Sequence, residues 1–157
     1  MNKTKRKIFE ASMDLFAKKG YEATSIEEIT SVVGIAKGTL YYHFSSKEEI
    51  FNFLVEEGMK LLKNSIEIKT SKVKNNLDKL KAVILIQIKI IMKYENFINI
   101  LLSQIWGQET KNKKCREYLF EYIHMIEIIV KEGIKKKEIA EGDPEVISMR
   151  NFRIYMF

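Results

Sequence analysis

One proline and seven glycines in 157 residues restrict this chain more than anything else in it. Antiparallel sheets need hairpins, and hairpins need glycine, proline and asparagine at short intervals, so a sandwich or barrel is excluded. Helix is what remains. Apolar residues make up 46% of the chain, enough to build a core, and the charged residues, at 31%, are too well mixed to form a disordered tail. The length suits one ordinary domain, or two small ones sharing a core.

Several function classes fall away on residue counts. A single cysteine, Cys115, excludes an internal disulfide, and with only His43 and His124 as imidazoles no His/Cys metal cluster can be assembled. The amino terminus is basic (Lys3, Lys5, Arg6, Lys7), but Glu10 and Asp14 interrupt what would be the apolar part of a signal peptide. The most apolar run, Val83 to Met92, contains Lys89 and is about half the length of a membrane span. A reduced, cytoplasmic, soluble protein without a membrane partner is expected. There is no phosphate-cradling glycine loop, nucleophile elbow or metal-ligand spacing. The paired carboxylates Glu27-Glu28 and Glu48-Glu49 are explained by helix capping. The expectation is a protein that is not an enzyme and needs no cofactor or metal.

The formal net charge of +6 does not locate a nucleic-acid site. Through Glu49 there are eight cations against seven carboxylates, and beyond it nineteen against fourteen. Only local clusters carry information.

Helical periodicity begins at once. Ile8, Ala11, Leu15 and Phe16, with Ser12 between, form an apolar stripe that Lys18-Lys19-Gly20 terminates. Ser25-Ile26-Glu27-Glu28 is a capping box, opening a short helix with Ile26, Ile29 and Val33 inward and Gly34 at its end. A third short helix fits Lys37 to His43, presenting Leu40 and Phe44 inward. Ser46-Lys47-Glu48-Glu49 reads as a second capping box, opening a long helix with Ile50, Leu54, Leu61 and Ile66 on its inner face. After a polar break at Lys72 to Asn76, helices are expected from about Leu77 to Lys93, Phe97 to Trp106 (stopped by Gly107) and Lys113 to Lys136. Asp143-Pro144 starts a last one. The fold class is therefore all-α. An amino-terminal helix-turn-helix unit, residues 1–48, is joined by the long helix to a helical domain, residues 49–157.

Two short helices joined at a glycine suit a helix-turn-helix, in which the second helix enters the major groove. Gly34 supplies left-handed dihedrals between helices packed too closely for a side chain. Gly38 has no reason to lie inside a helix unless a phosphate or base edge approaches the backbone there. Lys37, Thr39, Tyr41, Tyr42 and His43 give this small helix a crowded polar and aromatic outer face.

These residues resemble the amino-terminal domain of TetR-type (TetR/AcrR) bacterial transcriptional regulators. The residues that carry the resemblance are Ile8, Leu15, Phe16, Gly20, Tyr21, Thr24, Ile26, Ile29, Gly34-Ile35, Lys37-Gly38-Thr39-Leu40-Tyr41, Phe44, Lys47-Glu48-Glu49 and Ile50. It covers roughly residues 3 to 55, about a third of the chain. The resemblance implies a homodimer that binds a palindromic double-stranded operator and represses transcription until a small molecule binds the second domain. It places Lys37, Thr39, Tyr41, Tyr42 and His43 on the face toward DNA. It puts Thr24, Ser25 and Lys47 at helix starts that touch phosphates, which is also where helix amino termini attract anions. Two departures stand out. Ala36 lies where many members have a capping serine, and Thr30 replaces a small apolar residue.

Some positions have two readings. Tyr41 is a core tyrosine or a phosphate contact. Lys3, Lys5 and Arg6 form a solvated terminus or a DNA-contacting arm. His124 is a hydrogen-bonded histidine of the bundle or a ligand contact. Cys115 has cationic neighbours that favour a thiolate, yet no resolving partner for redox sensing. Tyr94, Phe97, Leu101, Gln104, Ile105, Trp106, Tyr118, Tyr122 and Met125 are core, or line a pocket for a largely apolar inducer. The long helix from Lys47 would act as a lever about 30 Å long between the two halves.

The resemblance also frames the carboxyl end. It implies a truncated or atypical member that still dimerises, through the last helix and the one from Lys113, with Phe152 and Tyr155 as anchors. The alternative is a helical interaction protein of the same fold that has lost inducer response or DNA binding.

Overall fold

The computed structural model describes residues 2–106 and 113–153; the side chains of residues 96, 100, 103–106 and 151–153 lie outside the description. The expectations for Gln104, Ile105, Trp106, Gly107, Phe152 and Tyr155 therefore fall outside the described residues. Every described element is a helix: α1 (Lys3–Lys19), α2 (Ile26–Val33), α3 (Lys37–His43), α4 (Lys47–Thr70), α5 (Asn76–Trp106), α6 (Lys113–Lys135) and α7 (Pro144–Arg153). The two helices expected between Leu77 and Trp106 run together as α5, with Tyr94 leaving helical dihedrals at φ −127°, ψ 30°. Among the described residues no helix is long and apolar enough to cross a membrane.

Packing divides the chain into two compact units, Met1–Gly58 with Tyr94–Cys115, and Met59–Lys93 with Arg116–Phe157. In the first, Ile8, Ala11, Met13 and Phe16 of α1, Ile29 of α2, Leu40 and Phe44 around α3, and Ile50, Phe51, Leu54 and Val55 of α4 are buried. Aromatic rings tie it together: Phe51 lies 6.1 Å from Phe16, 5.3 Å from Tyr21 and 5.8 Å from Phe97, centroid to centroid. Such tilted and edge-on pairs add to the plain burial of apolar area.

The second unit is built on Ile66, Val83, Tyr122, Ile126 and Val130, with Met59, Leu62, Leu80, Leu119 and Ile147 packed against them. Leu61, expected on the inner face of α4, is 56% exposed. The inward stripe passes through Leu62 to Ile66 instead, a shift of one residue along the helix. At one end of this unit the Asn76 backbone N–H and its side-chain amide both donate to Glu138 Oε2 at 2.7 Å. The backbone N–H donation is the main cause that holds the Glu138 carboxyl below its ordinary value. Gly133 allows that closure, because a Cβ there would lie 2.5 Å from Ile139 Cδ1 and 3.2 Å from Asn76 Cβ. Asp143 starts α7 by accepting from Glu145 N–H at 2.9 Å, as its position before Pro144 predicts.

Candidate nucleic-acid interface

Local chemistry sets the two short helices. Ser25 Oγ accepts from Glu28 N–H at 3.1 Å and Glu28 Oε2 accepts from Ser25 N–H at 3.0 Å, the complete capping box expected for α2. Gly34 ends α2 at φ 71°, ψ 43°, and its N–H donates to Thr30 O at 2.9 Å. The reason for glycine here is dihedral alone. Nothing lies within 4 Å of a Cβ built at Gly34, so the expected close packing is not what excludes a side chain. Thr30 is buried, and its hydroxyl donates to Glu27 O at 2.9 Å, which satisfies a polar group at an apolar position. Ala36 starts α3 with no side-chain cap, as its missing hydroxyl implies.

Helix α3 is anchored by Leu40, its buried residue, with Phe44 buried just beyond it. Around that anchor the other side chains turn outward. Tyr42 is 85% exposed and Tyr41 46%; Lys37, Gly38 and Thr39 are exposed, and His43 is half-buried. The Tyr42 and His43 rings stand edge to face, 5.1 Å apart. Nothing lies within 4 Å of a Cβ built at Gly38, so internal packing does not require glycine there. The surface above it is open to whatever approaches. Lys37 donates to Glu27 of α2, which holds the Glu27 carboxyl below and the Lys37 ammonium above their ordinary values. The same ammonium lies 5.9 Å from the Tyr41 ring centroid. A phosphate reaching Lys37 therefore has to compete with one exposed carboxylate, a weak competitor in water.

Other expected contacts are placed differently. Thr24 is 2% exposed, and its hydroxyl donates to Gly20 O at 2.8 Å, so it closes the turn after α1 rather than facing outward. Lys47 Nζ donates to Tyr21 O at 2.9 Å, Thr24 O at 3.1 Å and Glu22 O at 3.3 Å, and lies 4.4 Å from the Tyr21 ring centroid. All three ammonium protons are engaged by the α1–α2 connection, so Lys47 is a clamp on the helix-turn-helix. No local pattern marks it as one, because its partners are 23 to 26 residues away. The capping box at Ser46 is also half as drawn. Ser46 Oγ accepts from Glu49 N–H, but the Glu49 carboxylate turns to the N–H and hydroxyl of Ser45, which together hold it below its ordinary value.

The basic amino terminus is helical from Lys3, capped by Asn2 Oδ1 on Lys5 N–H at 2.8 Å, so Lys3, Lys5 and Arg6 belong to the first turn of α1. Lys3 and Arg6 are exposed, with Arg6 paired to Glu10 at 3.0 Å. Lys5 lies 5.3 Å from the Phe44 ring and 5.6 Å from Phe53.

The pocket candidates are distributed over both units. Phe97 is buried against Phe51 in the first unit, where Tyr94 and Leu101 are half-buried. Tyr122 is buried in the second unit, with Met125 packed on the same cluster and Tyr118 half-buried. His124 is on the outer face of α6, its Nδ1 3.1 Å from Glu127 Oε2. Cys115 is buried, and burial raises its thiol above the ordinary value, the opposite of the thiolate its cationic neighbours in sequence suggested.

The family described as bacterial regulatory proteins, tetR family, matches over residues 8–54, the segment that builds this face. The HTH-type transcriptional regulator YerO of Bacillus subtilis is 35% identical over 124 residues, covering 76% of this chain but only 42% of that protein's own length. Among solved structures, a putative fatty acid metabolism regulator from Clostridium perfringens is 37% identical, with a TM-score of 0.82 over 96% of this chain and 82% of that one. The transcriptional regulator FadR from Bacillus subtilis, solved in complex with stearoyl-CoA, is 26% identical, with a TM-score of 0.85 over the same shares of the two chains.

Proposed function

This chain belongs to the TetR family of bacterial regulatory proteins, and on that premise we propose that it is a cytoplasmic transcriptional repressor whose α3 reads a palindromic operator as part of a homodimer. The observation that carries this reading is the outward face of α3. A seven-residue helix held by Leu40 presents Lys37, Thr39, Tyr41, Tyr42 and His43 around a glycine with open space above it. Lys3 and Arg6 on α1, and Ser25 at the α2 start, are the flanking groups for phosphates. Tyr41, 46% exposed, is available for a phosphate contact.

The effector is a largely apolar fatty acyl compound, a class supported by the relatives concerned with fatty acid metabolism and stearoyl-CoA. Helix α4 is continuous over 24 residues and contributes Ile50 and Leu54 to the first unit's core and Ile66 to the second's. An effector held in the second unit acts on DNA affinity only by its differential affinity for two states of that shared helix.

The test is selection of bound duplexes from a random library. An enriched inverted repeat, with half-sites about 34–36 Å apart or a multiple of that, supports the reading. Enrichment of no motif, or of one unrepeated half-site, refutes it. Adding a fatty acyl-CoA to the selected complex in a gel shift then checks release.

A further inference from the structure

A carboxylate stands at the edge of the face that α3 turns outward. Glu27, in the first turn of α2, accepts a hydrogen bond from the Lys37 ammonium ten residues further on, and both side chains are more than half exposed. The same ammonium lies 5.9 Å from the Tyr41 ring centroid, so it is held between a carboxylate on one helix and an exposed ring on the other. Stability does not account for this pair, since an exposed ion pair adds little in water. Capping does not require it either. Ser25 and Glu28 already complete the box that starts α2, and it is Glu28 that Lys19 engages. A phosphate is a poor match for the pair as a whole, because Lys37 attracts it and Glu27 repels it. What fits is a group that offers acceptors and a donor side by side.

We propose that Glu27 and Lys37 together read one G·C base pair in each operator half-site, with Glu27 as a specificity-determining residue contributed by α2. This rests on the operator reading above and assigns part of the sequence it selects. In the major groove a G·C pair presents the N7 and O6 acceptors of guanine next to each other, followed by the N4 amino donor of cytosine. An ammonium serves the first two and a carboxylate the third, so the ion pair between α2 and α3 matches one base pair across its width. An A·T pair fits worse. Its donor, adenine N6, lies between two acceptors, adenine N7 and thymine O4. A carboxylate on that donor faces an acceptor on either side, and the ammonium gains one partner rather than two. In the sequence Glu27 is explained by helix capping; only its bond to Lys37 brings it to the face of α3.

Selection of duplexes by the full chain, followed by competition with single-position variants of the enriched repeat, tests this. The wild-type motif is expected to hold one G·C pair per half-site whose replacement by A·T in both half-sites lowers affinity at least about tenfold at fixed salt. For Glu27→Gln the same replacement is expected to cost less than about threefold, with a melting temperature within about 2 °C of the wild type. Its affinity for unrelated duplexes should rise, because a negative charge has left the surface. Lys37→Met is expected to lose the same base preference. A Glu27→Gln variant that discriminates as the wild type does at every position overturns the inference and leaves the operator reading standing. So does a Lys37→Met variant that weakens binding to all duplexes alike and lowers the salt slope by about 1, the mark of a phosphate contact. A wild-type repeat without such a G·C pair also overturns it. A wild type that enriches no repeat removes the operator reading itself, and the inference with it. Should Glu27→Gln not fold, Glu27→Asp, which withdraws the carboxylate by one methylene, is expected to lose the same discrimination.

Discussion

Each unit has a glycine within a helix, and the two serve opposite ends. Gly38 in α3 is exposed with nothing within 4 Å of a Cβ, whereas Gly133 in α6 is buried with Ile139 and Asn76 where a Cβ would go. The first glycine keeps a surface open to something outside the molecule. The second lets the chain close on itself. On the face of α3, Tyr42 and Lys37 are exposed, whereas Thr24 and Thr30 of the same unit, like Asn76 and Gln87 of the second, lie buried. Exposed polar groups add little to stability, so their arrangement in the first unit is free to answer to a partner. Buried ones in the second unit must be satisfied or explained.

The sharpest way to break this contrast is to strip the outward face. Alanine at both Tyr42 and His43 is expected to lower operator affinity by at least about 30-fold at fixed salt, each contact to DNA being worth about 1–3 kcal/mol. Because Tyr42 is almost wholly exposed, the melting temperature should stay within about 2 °C. Affinity that stays within about threefold of the wild type contradicts the assignment of α3 to DNA.

Gly133→Ala probes the closed side. The added methyl meets Ile139 Cδ1 at 2.5 Å, so Ile139 must move, and denaturant unfolding should show a loss of about 1–3 kcal/mol. Operator affinity of the folded fraction should not change. A neutral result would mean that Ile139 repacks freely and that Gly133 is not a packing requirement.

Lys47→Met separates a clamp from a phosphate contact. Loss of its hydrogen bonds to the α1–α2 connection should cost about 1–2 kcal/mol, discounted because Lys47 is only half-buried. The salt dependence of operator binding should keep its slope, whereas loss of a phosphate contact would reduce that slope by about 1. A reduced slope with unchanged stability reverses the assignment.

Gly38→Ala should give the smallest effect and the clearest sign. Alanine is the better helix former and meets no neighbour, so stability should rise by about 0.5 kcal/mol. Operator affinity should fall, because the methyl occupies the approach to the backbone. A variant that is more stable and binds DNA equally well would show that nothing approaches Gly38.

Legibility followed distance along the chain. The Ser25 box, the left-handed Gly34, the uncapped Ala36 and the Asp143 cap each depend on groups within about four residues, and each could be read from the letters. The helical class and the face of α3 belong to the same set. At Leu61 against Leu62 the periodicity allowed either, because two residues at neighbouring positions fit one apolar stripe.

The amino-acid sequence by itself determined that the described elements are helical, where the short helices start and stop, and which short helix offers a polar and aromatic face. Those outcomes follow from backbone hydrogen bonds and side-chain caps that act within one helical turn. Only the tertiary structure decided that Lys47 clamps carbonyls 23 to 26 residues away, that Asn76 meets Glu138 across 62 residues, that Thr24 turns inward, and that the Cys115 thiol is raised rather than lowered. Burial and non-local donors set those, because desolvation depends on which segments fold over a group rather than on its neighbours in sequence.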